Sequence, residues 1–282
     1  MNNKKDMIKA FATVAGIVFL AIFIVGFLPR GIAFLFEECG YPISSKNLVT
    51  KYSMGIGIRI IGLIFFFIIM KKFHILEWYH CRFDKNSLKL SWLFIVYIIL
   101  NVETVPLKNL HLLPVILMII EAFMIGLYEE TIFRGLVLPI FLKRWGKSRK
   151  QVISSVFTSS IMFGLMHLIN LSWNPNIADV ITQVCYASIM GIAFSALLLR
   201  TNGNLIWCSL LHGCYDIASG FGDFAEKAAS GAQVSEAVTN ILPYVLNLAY
   251  FIPLLLYGCF LLRKVETVTE DGKIYQYELS ES

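Results

Sequence analysis

Residues 112–142 read LLPVILMIIEAFMIGLYEETIFRGLVLPIFL, an apolar run interrupted by charge only at Glu121, Glu129, Glu130 and Arg134. As a helix rising 1.5 Å per residue it would extend about 46 Å, more than the roughly 30 Å of hydrocarbon in a bilayer. The segment is long enough to cross a membrane and must break, tilt or emerge from it. The remainder of the 282-residue chain agrees: 57% of its residues are apolar, 15% are charged and the mean hydropathy is +0.69. A soluble chain carries about 45–50% and roughly 25%, so a water-soluble domain is excluded. The net charge of +5 does not signal nucleic acid, because Lys and Arg fall in small clusters between apolar runs rather than on one basic face.

Working outward from 112–142, runs long enough for membrane helices lie at 10–29, 52–70, 90–105, 112–128, 152–169, 178–199, 204–220 and 241–262, the third being the shortest. Eight spans with the N-terminus inside place 17 of the 24 Lys and Arg on the cytoplasmic side. These are Lys4, Lys5, Lys9; Lys71, Lys72, Arg82, Lys85, Lys89; Lys143, Arg144, Lys147, Arg149, Lys150; Arg200; and Arg263, Lys264, Lys273. Basic loops stay inside, so both termini are expected in the cytoplasm. The first run is read as a retained helix, because Phe27-Leu28-Pro29-Arg30 offers no small-residue cleavage signature. The six cysteines show no pair spacing of a zinc ribbon or disulfide framework, and core packing is their expected use. Residues 221–239 read as an outer loop with a short surface helix, and the tail from Thr267 as a polar, mobile end.

Charge inside a membrane is costly, so an ionisable residue within a span is a functional candidate. Glu130 and Arg134 are four apart and pair along one helical face, whereas Glu129 is turned about 100° away with no partner at that spacing. A carboxylate left alone at depth resists ionisation, the condition that general acid–base chemistry near neutral pH exploits. His212 and Asp216 are also four apart and share a face. Counted from the cytoplasmic ends, Glu129 lies about 20 Å in, His167 about 25 Å, His212 about 15 Å and Asp216 about 20 Å. Residues from three spans thus converge on one level, which packing alone does not explain. Two ways of activating water fit such a set. Glu129 and His167 can do so directly, with His212 and a neighbour facing the oxyanion of an amide. Alternatively Glu129, His167 and His212 can hold a zinc ion, although H-E-x-x-H spacing is absent. Arg59 and Glu121 are further charges within spans, expected to pair or to line a cavity. Intramembrane Glu, His and Arg also build transporter relays, but no inverted repeat recommends that reading.

Three motifs occur in order: Glu129-Glu130-Thr131-Ile132-Phe133-Arg134 reads E-E-x-x-x-R, Phe163-Gly164-Leu165-Met166-His167 reads F-x-x-x-H, and His212-Gly213-Cys214-Tyr215-Asp216 reads H-x-x-x-D/N. Together they resemble the CAAX protease and bacteriocin-processing (CPBP, or Abi) family of intramembrane proteases. The resemblance implies an all-α polytopic protein of about eight transmembrane helices around an intramembrane cavity. Residues 1–110 would hold the first three helices, 111–220 the catalytic core, and 221–282 an outer loop, the last span and a cytoplasmic tail. It implies that Glu129 and His167 activate the water, that His212 and Asp216 form the oxyanion side, and that Glu130 and Arg134 support them. Zinc is the one candidate cofactor. Many members carry Asn where this chain has Asp216, and an ionised Asp cannot donate a hydrogen bond to an oxyanion. The expected setting is a bacterial plasma membrane, and the expected partners are membrane lipid, a membrane-associated peptide or protein substrate such as a pheromone or bacteriocin precursor, and a regulatory membrane partner. The alternative is a non-catalytic scaffold or bacteriocin-immunity factor using the same fold.

Overall fold

In a computed structural model the chain is described over residues 2–40, 47–81, 85–102, 111–230, 241–265, 269–270 and 273–274. It is an all-α polytopic membrane protein. Helix α1 (Asn2–Ile22) runs through a π-helical turn, Phe23–Phe27, into α2 (Leu28–Glu38). After α3 (Leu48–Lys72) come the short α4 (Lys85–Leu90) and α5 (Trp92–Leu100). Helix α6 (Leu112–Ile132) passes through a second π-helical turn, Phe133–Val137, into α7 (Leu138–Trp145). Then follow α8 (Arg149–Met166), a 3-10 turn at His167–Ser172, α9 (Ile177–Arg200), α10 (Leu205–Ser230) and α11 (Leu242–Leu262). The strands Thr269–Glu270 and Lys273–Ile274 pair antiparallel; the rest of the tail from Thr267 lies outside the described residues.

Each of the eight apolar runs carries a helix, and among the described residues six helical stretches are long and apolar enough to cross a membrane: Met7–Glu38, Leu48–Lys72, Leu112–Trp145, Arg149–Ser172, Ile177–Arg200 and Leu242–Leu262. The third run differs. Its helix α5 ends at Leu100, and even joined to α4 through Ser91 it extends only about 24 Å. Helix α10, which holds the seventh run, has the length but not the hydropathy, because it carries His212 and Asp216 within the run and Asp223, Glu226 and Lys227 beyond it. Residues 221–230 continue α10 rather than starting a separate surface helix, and 231–239 lie outside the described residues. The cysteines do not pack the core as expected: all six are free, only Cys208 is buried, and Cys39, Cys81, Cys185 and Cys259 are exposed.

The core centres on α9 and on the α6–α7 rod. From Ile132 to Leu142 every residue is buried, because this rod is surrounded by protein rather than lipid. The exposed apolar side chains are spread over the outer helices, including Phe34 and Leu35 on α2, Ile64, Phe65 and Ile68 on α3, Leu112 and Leu113 on α6, and Val245, Leu246 and Leu256 on α11. Such a surface suits contact with lipid tails.

The long rod stays helical by means of a local device. Pro139 has no N–H and cannot donate back to the turn before it, and in the π-helical turn the Leu138 N–H reaches Phe133 O, five residues back. The carbonyls that Pro139 leaves without a donor are met from outside: the Tyr79 hydroxyl donates toward Arg134 O at 2.7 Å and Gly135 O at 3.1 Å. Burial pushes the Tyr79 phenol well above its usual range, with the nearby Cys208 thiol adding to the effect, so the group stays a donor. Beyond the turn, Lys143 Nζ donates to Phe73 O (2.9 Å) and His74 O (2.8 Å), closing the C-terminal end of α3.

Candidate active site

Close helix crossings bring the polar residues together. On α6, a Cβ at Gly126 would lie 2.7 Å from Ser209 O and 2.8 Å from Gly213 N of α10. A Cβ at Gly213 would lie 2.9 Å from Phe123 Cα. Only hydrogen at both positions lets the two backbones touch, which sets Glu129 and Glu130, one turn along α6, beside His212. A comparable crossing of α8 and α9 at Gly164, where a Cβ would meet Val184 O at 2.4 Å, places His167.

Glu129, His167, His212 and Asp216 all line one cavity of about 570 Å³. Glu130 and Arg134 do not line it. They lie behind the wall, with 0% and 1% of their side-chain surfaces exposed, paired through Glu130 Oε1 and Arg134 Nη1 at 3.1 Å. The same Glu130 oxygen accepts from His212 Nδ1 at 2.9 Å. One carboxylate oxygen therefore joins the buried cation to the cavity histidine. Beyond this ion pair neither Arg134 Nη1 nor Nη2 makes a hydrogen bond among the described residues. Instead the guanidinium lies 4.4 Å from the Phe163 ring centroid and 5.7 Å from that of Phe194, a cation–π arrangement that gains about 2 kcal/mol or more when dry. The same two rings hold the histidines: Phe194 stacks on His212 at 5.6 Å, and Phe163 meets His167 edge-on at 5.1 Å and His212 at 6.1 Å.

The hydrogen bonds fix the tautomers. A carbonyl can only accept, so His167 Nδ1, 3.1 Å from Phe163 O, carries a proton, and Nε2 of the neutral ring is an acceptor. His212 donates from Nδ1 to Glu130, which turns Nε2 toward Glu129 Oε2 at 3.8 Å and Asp216 Oδ1 at 3.7 Å. Both gaps exceed a hydrogen bond and suit an intervening oxygen. Glu129 accepts no hydrogen bond from the described residues and keeps 18% of its side chain exposed.

The zinc expectation fares differently. Among the described residues no group of three or more His, Cys, Asp or Glu side chains is arranged to hold a metal ion, and Glu129, His167 and His212 do not form a ligand set. Arg59 and Glu121, expected to pair or to line the cavity, do pair, at 3.0 Å, and Arg59 also lines the cavity. Sequence reasoning missed the neutral polar part of the wall, made by Asn101, Asn170, Gln183, Tyr186, Tyr215 and Asn247. Amides within apolar runs were its available signal.

No curated protein and no solved structure matches the chain. A family model does: type II CAAX prenyl endopeptidase Rce1-like, over residues 111–218, the stretch that carries Glu129, Glu130, Arg134, His167, His212 and Asp216. Over this domain the chain is similar to the CPBP family of membrane proteases.

Proposed function

We propose that the chain is an intramembrane endopeptidase in which Glu129 and His167 activate a water that attacks a peptide carbonyl of a membrane-associated substrate. The observation that carries this reading is that Glu129, His167, His212 and Asp216, from three helical segments, line a single cavity. Glu129, free of protein donors, takes a proton from the water as its oxygen bonds to the carbonyl carbon. His167 Nε2 accepts the water's second hydrogen and orients it. The carbonyl oxygen becomes an oxyanion on the His212 side. Because His212 Nδ1–H is committed to Glu130, donation from Nε2 requires the imidazolium. The facing carboxylates Glu129, Glu130 and Asp216 provide countercharge for that form, and Asp216 acts in this way rather than as a donor. Collapse of the tetrahedral species breaks the C–N bond as Glu129 returns its proton to the leaving amine. Glu130 and Arg134 hold His212 from behind.

The distribution of Lys and Arg supports cytoplasmic termini, in a plasma membrane of bacterial type, with peptide precursors or membrane-anchored proteins as substrates. The test compares membrane peptides in cells carrying wild type, Glu129→Ala or His167→Ala, with folding checked for each. The expected result is loss of a defined set of cleavage products, with turnover of any one substrate reduced about 10²- to 10⁴-fold. Unchanged cleavage by both folded variants would refute the mechanism. If Glu129→Gln abolishes proteolysis but leaves the cellular phenotype intact, a scaffold or immunity role replaces it.

A further inference from the structure

The cavity is open at one end of the helix bundle and sealed at the other. Asn101 follows the end of α5, and Asn170 and Trp173 lie on and just after the 3-10 turn beyond α8. Gln183 and Asn247 stand in the second turns of α9 and α11, and Ser219 lies two turns beyond His212 on α10. These uncharged residues form a rim at one end. That end is fastened together: Asn170 Nδ2 donates to Gln183 Oε1 at 2.7 Å, Asn176 Nδ2 to the Tyr244 hydroxyl at 3.1 Å and Asn101 Nδ2 to the Tyr250 hydroxyl at 2.9 Å. Arg30 Nη2 adds a bond from α2 to Ser172 Oγ at 3.0 Å. Trp173, Ser219 and Asn247 are exposed, so the cavity meets its surroundings here.

Glu129 and His212 form the floor. Behind them every residue from Glu130 to Leu142 and from Ser195 to Leu199 is buried, and the Glu130–Arg134 pair lies within this seal. Along α6 and α7 the seal runs from Glu129 to Lys143, about 21 Å of helix. Beyond it the opposite helix ends meet: Lys143 Nζ reaches the Phe73 and His74 carbonyls, the His80 N–H donates to Gly203 O at 3.3 Å, and the Tyr257 hydroxyl donates to Leu90 O at 2.8 Å. The basic residues gather at this end, with Lys71, Lys72, the five Lys and Arg of residues 143–150, Arg200, Arg263 and Lys264. The described residues at the rim end carry Arg30, Lys51 and Lys227. Basic ends stay in the cytoplasm, so the floor is turned inward and the rim outward.

We propose that the cavity opens on the non-cytoplasmic face of the membrane and takes a peptide segment that has already been carried across it. A translocation or membrane-insertion step must therefore supply the substrate, and the cut ends are released on the far side. The rim suits an unfolded segment, because its amides and hydroxyl both donate to and accept from peptide groups. This inference rests on the peptidase reading of the site and on the orientation given by Lys and Arg.

A membrane-impermeant maleimide tests it on intact and on permeabilised spheroplasts, with the modified cysteines identified by mass spectrometry. Cys39, just past α2, and Cys81, before α4, are both exposed and report the rim end and the basic end. Ser219→Cys and, separately, Trp173→Cys report the rim itself. Cys39 and the rim cysteines are expected to react in intact spheroplasts, and Cys81 only after permeabilisation. Rim cysteines that wait for permeabilisation in both folded variants, or a Cys81 that reacts from outside, overturn the inference. Cleavage is followed separately with a mixture of random-sequence, fluorescence-quenched decapeptides, flanked by lysines so that they stay out of the bilayer. They are offered to right-side-out and inverted vesicles holding wild type or Glu129→Gln. Glu129-dependent cleavage is expected in right-side-out vesicles and is expected to be lost in inverted ones. The reverse preference overturns the inference and leaves the peptidase reading intact. If no peptide is cut even in detergent while the rim cysteines react from outside, the peptidase reading falls and the outward opening stands.

Discussion

Replacing Glu130 with Ala tests whether the buried carboxylate organises the site or merely accompanies it. Glu130 is wholly buried, and its one oxygen takes both Arg134 at 3.1 Å and His212 at 2.9 Å. Removal leaves the Arg134 guanidinium as a buried cation without its counterion, at a cost of about 3–5 kcal/mol, and leaves His212 Nδ1–H without an acceptor, for about 1–3 kcal/mol more. The two terms overlap, yet either is large against a typical stability of about 5–15 kcal/mol. The measurement is denaturant or thermal unfolding of detergent-solubilised protein, followed by the fluorescence of its five tryptophans. Adding Arg134→Met to Glu130→Ala removes the stranded charge and puts an apolar chain between Phe163 and Phe194. The double variant is therefore expected to be more stable than Glu130→Ala alone by about 1–4 kcal/mol, while remaining inactive because His212 is unheld. Wild-type stability in Glu130→Ala, or a double variant whose loss equals the sum of the two single losses, would refute the coupling.

Glu129→Ala, by contrast, removes a group that accepts no protein hydrogen bond, so unfolding is expected to shift by no more than about 0.5 kcal/mol while cleavage falls about 10²- to 10⁴-fold; a comparable loss of stability would show Glu129 to be structural. Gly126→Ala puts a methyl group 2.7 Å from Ser209 O and 2.8 Å from Gly213 N, which forces α6 and α10 apart. It is expected to cost about 1–3 kcal/mol and most of the cleavage activity, read as kcat in proteoliposomes, whereas Gly16→Ala, with open space around it, leaves both unchanged. Tyr79→Phe strips the donor from Arg134 O and Gly135 O and is expected to destabilise by about 1–3 kcal/mol, measured by the same unfolding assay.

The ionisable residues of the site were legible in the sequence because a membrane leaves so few places for charge: Glu129, His167, His212 and Asp216 stand out in apolar runs, and all four meet at one cavity. Helical spacing also predicted the Glu130–Arg134 pair. Spacing sees only partners on the same helix, however, so it could not find that Glu130 is shared with His212 across the α6–α10 crossing. Phe163 stood in a recognised motif, but its place over Arg134 depends on three helices at once. Tyr79 lies in a connection without periodicity, and its only trace in the sequence is the missing N–H of Pro139. For α5 the apolar run itself misled, since composition does not register the bend at Ser91 or the end of the helix at Leu100.

A π-helical turn is an α-helix holding one residue too many, and the Phe133–Val137 turn therefore fixes a phase. Deleting a single residue there, Val137 for example, would restore ordinary helix and close the wide turn that accommodates the Pro139 ring, whereas deleting one residue from the ordinary helix just beyond it would swing everything that follows by about 100°. Lys143 would leave the Phe73 and His74 carbonyls, and the apolar residues of α7 would face the wrong neighbours. The turn Phe23–Phe27 before Leu28-Pro29 has the same pattern as Phe133–Val137 before Leu138-Pro139. In both rods side chains can vary more readily than residue count, so an insertion or deletion of one residue is expected to do more harm than most substitutions.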